Sequence, residues 1–345
     1  MTSVGEVQGA STPTTPPPEE VEVESRRLAG MHRFIAQIRS ARGVPKWILY
    51  SGVGIVLFFT ILAIFAPLIA PYGFADSSSG GVDFPKQAAP SGSHLFGTTV
   101  QSTDVLSRVI WGARTEIEVV VLSVLFALAI GVPLGLISGY IGGKLDRVLV
   151  LIMDALFAFP YLLLAIVIAF LLSDKIGQGI LTAAIAITVV YVPQYFRVVR
   201  NHVISVREEP YVEAARALGA KRRTIIGRYV FFNVIQNVPV IATLNAADAI
   251  LTLAALGFLG YGIQPTQAAE WGYDVQRAIA DAADGIWWTG LFPGMAIVLL
   301  VTGFTLVGEG LNDILNPLIR YRRVRQPDMD QAPAVPAGEP AGEER

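Results

Sequence analysis

The sequence predicts an all-α polytopic membrane protein, with six transmembrane helices and a short amphipathic helix in one cytoplasmic loop. Three observations carry that expectation. The 345 residues are 53% hydrophobic with a mean hydropathy of +0.53, and only 16% are charged, against roughly 25% in an ordinary soluble domain. The apolar residues gather in runs long enough to cross a bilayer, which takes about 20 residues. Lys and Arg are also divided very unevenly between alternate loops. Runs this long and evenly apolar are helices rather than barrel strands, and in lipid only those two forms satisfy every backbone group.

Residues 1–46 come first. They include "STPTTPPPEEVEVES", an acidic, Pro/Thr-rich stretch with no apolar core behind a short basic start. This is expected to be a disordered cytoplasmic tail leading into the first helix, not a secretory signal. The first span is 47–70, "WILYSGVGIVLFFTILAIFAPLIA". A long polar loop, 71–113, follows. The helical core is then 114–323: spans near 117–141, 148–172 and 179–199, a loop over 200–228, a fifth span within 229–263 and a sixth within about 287–312. Residues 324–345 read as a second disordered tail.

Sidedness follows from basic residues, which concentrate on the cytoplasmic side. With both termini in the cytoplasm, only Lys86, Arg108, Arg114, Lys175 and Arg277 lie outside, out of 26 Lys and Arg. Trp111, Trp271, Trp287 and Trp288 then fall near the outer interface, where amphipathic rings are favoured. The loop after the fifth span, "AAEWGYDVQRAIADAADG", holds one more short helix on that side.

Several chemistries are excluded at this stage. There is no cysteine, hence no disulfide, thiolate nucleophile or Cys-type metal site. His32, His94 and His202 are far apart in sequence and read as solvated loop residues, so no metal cluster is expected. No cofactor and no nucleic-acid partner are expected. "GYIGGKLD" resembles a phosphate loop only superficially: it has Ser138 and Leu145 where Gly and Ser/Thr are required, and reads as a tight turn between spans. The chain therefore carries no ATP-hydrolysing site of its own, and a membrane enzyme lacks a plausible constellation.

The informative loop is "EEPYVEAARALGAKRR", 208–223. Pro210 suits the first helical turn and Gly219 a left-handed cap. Glu208, Glu209 and Glu213 sit at the positive end of the helix dipole, and Lys221, Arg222 and Arg223 follow the negative end. Tyr211, Ala214, Ala215 and Leu218 fall together by i, i+3, i+4, i+7 spacing, a face of low relief that another backbone can approach. An interfacial helix lying on headgroups is the competing reading, weakened by an apolar face of one Leu and one Tyr.

"EAARALG" at 213–219, in this topological place, resembles the signature loop of ABC-importer permeases. Supporting stretches are "DVLSRVIWGAR" (104–114), "GYIGGKLDRVL" (139–149), "FLGYGIQP" (258–265), "WG" (271–272) and "WWTGLFPGMAIVLL" (287–300). The likeness covers about 94–320 and is greatest to the C-type permease of dipeptide and oligopeptide importers, a group that includes nickel and glutathione systems. The resemblance implies that the 210–218 helix docks into a cleft on a cytoplasmic ATP-binding subunit. It also implies a sister permease, one or two ATPase subunits, an extracytoplasmic substrate-binding protein and a peptide cargo, with nickel, glutathione or haem-like cargo as alternatives. The chain departs from the pattern at Tyr229 and Phe232, where the family commonly has His and Pro, and in "GTTVQSTD", 97–104. Pro239 is a candidate replacement for the lost bend.

Asp248, in "NAADAILTLAALG", lies mid-span, where a charge costs at least roughly 2.5–3.5 kcal/mol on insertion scales. With Asn245 it is a candidate wall of the translocation path; equally, Asp248 pairs structurally with Asn245, Asn237 or a partner chain. Asp154 is expected to pair with the nearby Arg147. Gly131, Gly135 and Gly139, four apart, mark a close helix-packing face. An ion-coupled secondary transporter is the rival function from another class; Asp248 favours it, but no internal repeat does.

Overall fold

The computed structural model describes residues 44–315. Most of the two tails expected at 1–46 and 324–345 lies outside the described residues. Trp47–Asn312 forms one body, to which everything below refers.

Helix α1 spans Val44–Ile64, and a single further turn, Ala66–Ile69, completes the first apolar run. The loop after it carries a two-residue hairpin, Ser78–Ser79 against Val82–Asp83. Helix α2, Val105–Ile141, is much longer than the run from which it was expected. It starts inside the loop assigned to 71–113 because Asp104 caps it, its carboxylate accepting from the Ser107 amide at 2.8 Å. Polar residues at the start of the helix hid that cap from a reading based on hydropathy.

Helix α3 is Gly143–Ala158 and α4 is Tyr161–Ile176, joined at a bend of 97°. The 148–172 run was expected as one span; it is broken. Pro160 has no N–H to donate, and it holds Phe159 extended (φ −75°, ψ 139°). Helix α5, Ile180–Val206, continues past Arg200, so the first part of the expected 200–228 loop is helical. Helix α6, Pro210–Ala217, lies in the remaining loop. Helix α7, Val238–Phe258, helix α8, Trp271–Ala283, and helix α9, Trp288–Leu315, complete the described residues. Among those residues, five helices are long and apolar enough to cross a membrane, six spans if the bent pair counts as one.

The α2–α5 pair is the main packing seam. A Cβ at Gly131 would lie 2.7 Å from the Tyr195 Cβ. At Gly135 it would lie 2.7 Å from the Phe196 carbonyl oxygen, and at Gly139 2.8 Å from that of Arg200. The expected small-residue face therefore exists, and it lets the two backbones touch. At the α6 end of this seam, Arg200 grips Asp146 of α3 with two bonds of 2.6 and 2.8 Å. The Ser138 hydroxyl donates to the same carboxylate at 2.5 Å. Asp154 pairs with Arg197 at 3.0 Å, not with Arg147; a partner on the facing helix is reached where one on its own helix was expected.

The histidine expectation fails, and two of the tryptophans are packed inside the protein. Trp271 and Trp288 are buried and donate their indole N–H to the carbonyls of Val109 and Thr98 at 3.1 and 3.2 Å. They pin loops to the bundle, while Trp287 stays exposed. His94 is buried, its Nδ1 2.9 Å from Asp104, and His202 belongs to α5. The compact polar loop supplied a carboxylate partner that spacing alone did not reveal.

Candidate coupling helix and translocation path

Local sequence builds α6 in three steps. Glu209 is extended, and Pro210 occupies the first helical position, where its missing N–H costs nothing. At the other end Gly219 takes φ +81°, as expected of a left-handed cap. The Ala220 amide donates to the Ala215 carbonyl and the Gly219 amide to that of Arg216. Those two bonds are a Schellman end, which satisfies the carbonyls the helix would leave open.

The face it buries is not the one expected. Val212 and Ala215 point inward, with Val212 0% exposed in a cluster with Val199, Val203, Ile225 and Val230. Burying such a valine contributes about 1.5–3 kcal/mol. Ala215 therefore holds the helix to its own chain and is not on the free surface. Tyr211, Glu213, Ala214, Leu218 and Gly219 remain exposed, Leu218 by 89% and Tyr211 by 41%. Periodicity placed Tyr211, Ala214, Ala215 and Leu218 on one stripe. Val212, one position from Tyr211, turns the helix so that Ala215 falls on the inner edge.

The helix is also tied down by polar contacts that the sequence reading missed. The Tyr211 hydroxyl accepts from Asn233 Nδ2 at 3.0 Å. Partial burial, with the Glu209 carboxylate adding, holds the Tyr211 phenol above its ordinary range, so it stays neutral. Just before the helix, Arg207 donates to the Gly139 carbonyl at 2.8 Å, fastening the loop to the end of α2. After it the chain runs through a π turn, Ile225–Val230, and a 3₁₀ turn, Ile235–Asn237, before α7. This irregular helix replaces the proline bend absent at Phe232; such breaks frequently mark functional places.

The two candidate path residues part company. Asn245 is buried, and its Nδ2 has no hydrogen-bond partner among the described residues. Asp248 is exposed on the surface of this chain. Among the described residues no hydrogen bond or ion pair reaches its carboxylate, so the structural pair with Asn245 does not form. One turn on, Thr252 meets the Tyr191 hydroxyl at 3.2 Å.

The described residues form a helical body with five helices, or six spans with the bent pair, long and apolar enough to cross a membrane, and a short helix seated in the loop between two of them. The chain belongs to the family of binding-protein-dependent transport system inner membrane components, matched over residues 131–321. It is 37% identical over 311 residues to the dipeptide transport system permease protein of Alkalihalophilus pseudofirmus, covering 89% of this chain and 95% of that one. It is 32% identical to the glutathione transport system permease protein of Pectobacterium atrosepticum, covering 77% and 85%. It is 35% identical to a probable D,D-dipeptide transport system permease protein of Escherichia coli K12, covering 76% and 85%. The protein is thus a multi-pass cell-membrane transport component that works with other subunits.

Proposed function

We propose that this chain is the peptide permease subunit of an ATP-driven importer working by alternating access. The observation that carries this is α6: anchored through Val212 and Ala215, closed by Gly219, and presenting Tyr211, Glu213, Ala214 and Leu218 outward. A helix held this way transmits displacement, where a floppy loop would absorb it. One or two partner ATPase subunits grip that face, and ATP hydrolysis takes place on them. A sister permease completes the pathway, and an extracytoplasmic binding protein delivers the cargo. Both termini and α6 are cytoplasmic, as the distribution of Lys and Arg supports. The chain itself catalyses no reaction.

Relatives named for dipeptide and glutathione transport support a short peptide as cargo. Asp248 is assigned to the wall of the path. A polar, ionisable side chain on the chain's own mid-span surface is tolerated only where water or a partner chain covers it.

The test is co-expression with the candidate ATPases, sister permease and binding protein, followed by reconstitution in vesicles. Peptide uptake that needs ATP and all subunits is expected. Uptake that survives ATP depletion and collapses with the proton gradient overturns the reading in favour of a secondary transporter. Competition between dipeptides and glutathione fixes the cargo.

A further inference from the structure

At the α8 end of the bundle, a small pocket opens between the loop before α2, α2 itself, α8 and α9. Its walls are chiefly apolar, from Val100, Val105, Val109, Ala278 and Pro293. The free space at its core, about 20 Å³, is room for one group the size of a water molecule. Asp281 of α8 forms part of the wall and is 3% exposed. Its Oδ1 accepts from Gln87 Nε2 at 2.7 Å. Its Oδ2 is buried and has no hydrogen-bond partner among the described residues. A buried acceptor left without a donor is costly, and more so on an acidic group.

The charged groups around the pocket differ in what they leave free. Arg108 of α2 is engaged by Asp274: its Nε donates to Oδ1 at 2.8 Å, and its Nη2 lies 2.7 Å from the same oxygen. Its Nη1 donates to the Phe74 carbonyl at 3.0 Å. That ion pair cancels within itself. Arg277 stands one turn before Asp281, at the exposed rim. It lies over the Tyr273 ring at 5.4 Å and donates to the Tyr273 hydroxyl at 3.0 Å. Its flat guanidinium is too wide for the core of the pocket. Neither arginine forms an ion pair with Asp281 among the described residues. A metal ion is a poor match, because hard cations take several oxygen ligands at once. Among the described residues no group of three or more His, Cys, Asp and Glu could hold one. A lone acceptor within apolar walls suits a compact N–H donor carried on an alkyl stem.

We propose that this pocket binds a primary ammonium group on an alkyl chain, with Asp281 Oδ2 as its acceptor. The ammonium matches the core in size and brings the donor that this oxygen lacks. The methylenes of its stem lie along Val100, Val105 and Pro293. Arg277 at the rim opposes the incoming charge and keeps the affinity low. Two molecules present such a group: a protein docking on this face, through a lysine side chain, and a peptide, through its free amine. The chemistry is shared, and the test separates the two. The site stands on this chain's own residues, so it can fail while the importer reading holds.

The full-length chain carrying Gln101→Cys, purified into lipid nanodiscs, tests the proposal. Gln101 is exposed and lines the pocket, and the chain has no other cysteine. Labelling by N-ethylmaleimide is expected to slow as n-butylammonium is added. Sodium and tetramethylammonium, which offer no N–H, are expected to leave the rate unchanged. Asp281→Asn, added to this background, keeps an acceptor for Gln87 and puts an amide N–H₂ in place of Oδ2. The half-protecting concentration is then expected to rise about 10- to 100-fold, the usual contribution of a hydrogen bond to a charged group. Arg277→Gln removes the rim charge, and the same concentration is expected to fall about 2- to 5-fold, as for an exposed charge. Protection by alanylalanine but not by its N-acetyl form assigns the site to a peptide amine. Protection by n-butylammonium alone assigns it to a lysine side chain. Equal protection by sodium overturns the proposal in favour of a metal cation. Absence of protection, or protection unchanged in Asp281→Asn, overturns it in favour of bound water. Should Asp281→Asn fail to fold, Arg277→Gln decides, and an unchanged half-protecting concentration there overturns the proposal.

Discussion

Single residues show where sequence reading succeeds and where it stops. Gly219 was legible because a left-handed cap leaves few choices of side chain, and its φ of +81° agrees. Gly131, Gly135 and Gly139 were legible because four-residue spacing is a property of the helix alone. His94 was not: it is buried in an irregular loop against Asp104, so composition gave the wrong environment, and the packing of Trp271 and Trp288 against distant carbonyls was equally invisible. Ala215 was misplaced by one turn of reasoning, since both edges of a short stripe look apolar. Gly135→Val is expected to force α2 and α5 apart, because its Cβ would lie 2.7 Å from the Phe196 carbonyl oxygen. Overpacking of this kind costs about 1–3 kcal/mol, to be read as a lower Tm of the purified chain. Asp248→Asn keeps shape and removes charge; if this residue lines the path, uptake by the assembled importer falls or its peptide preference changes, with the Tm maintained.

Among elements, the helices with strong apolar runs were found, and their ends were not. α2 begins a dozen residues early because capping by Asp104, not hydropathy, starts it. The bend between α3 and α4 was written in "AFPY" but outweighed by the surrounding apolar residues. α6 was legible at both ends, and its orientation became visible only with Val212 in the cluster. Gly219→Val places a β-branched side chain in a left-handed backbone, at about 1–3 kcal/mol of strain. Peptide-stimulated ATPase activity of the complex is expected to be lost while the chain still reaches the membrane. Leu218→Ala should weaken binding to the ATPase subunit. Leu218 offers about 1.5–3 kcal/mol if fully buried there, so the apparent Kd rises by roughly 10- to 100-fold.

For the whole molecule, the fold class and the spans came chiefly from hydropathy, whereas the direction of insertion rests on charge. The chain has no cysteine, which makes single-cysteine labelling clean. Cysteine at Arg216 is expected to react only from the cytoplasmic face, and cysteine at Gly80 only from the opposite face. Crosslinks from position 218 are expected to reach a soluble ATPase; a pattern of lipid adducts alone removes the coupling role.

The broken segment at Phe159–Pro160 carries one more consequence. Each arm has 16 residues, about 24 Å of helix, against a hydrocarbon layer of about 30 Å. Neither arm reaches across unaided. Only the two arms together, set at 97°, are long enough to cross, and the elbow between them leaves a gap at mid-depth for lipid or a neighbouring subunit to fill. The assembled importer should then respond to acyl-chain length, running faster in thin bilayers than in thick ones.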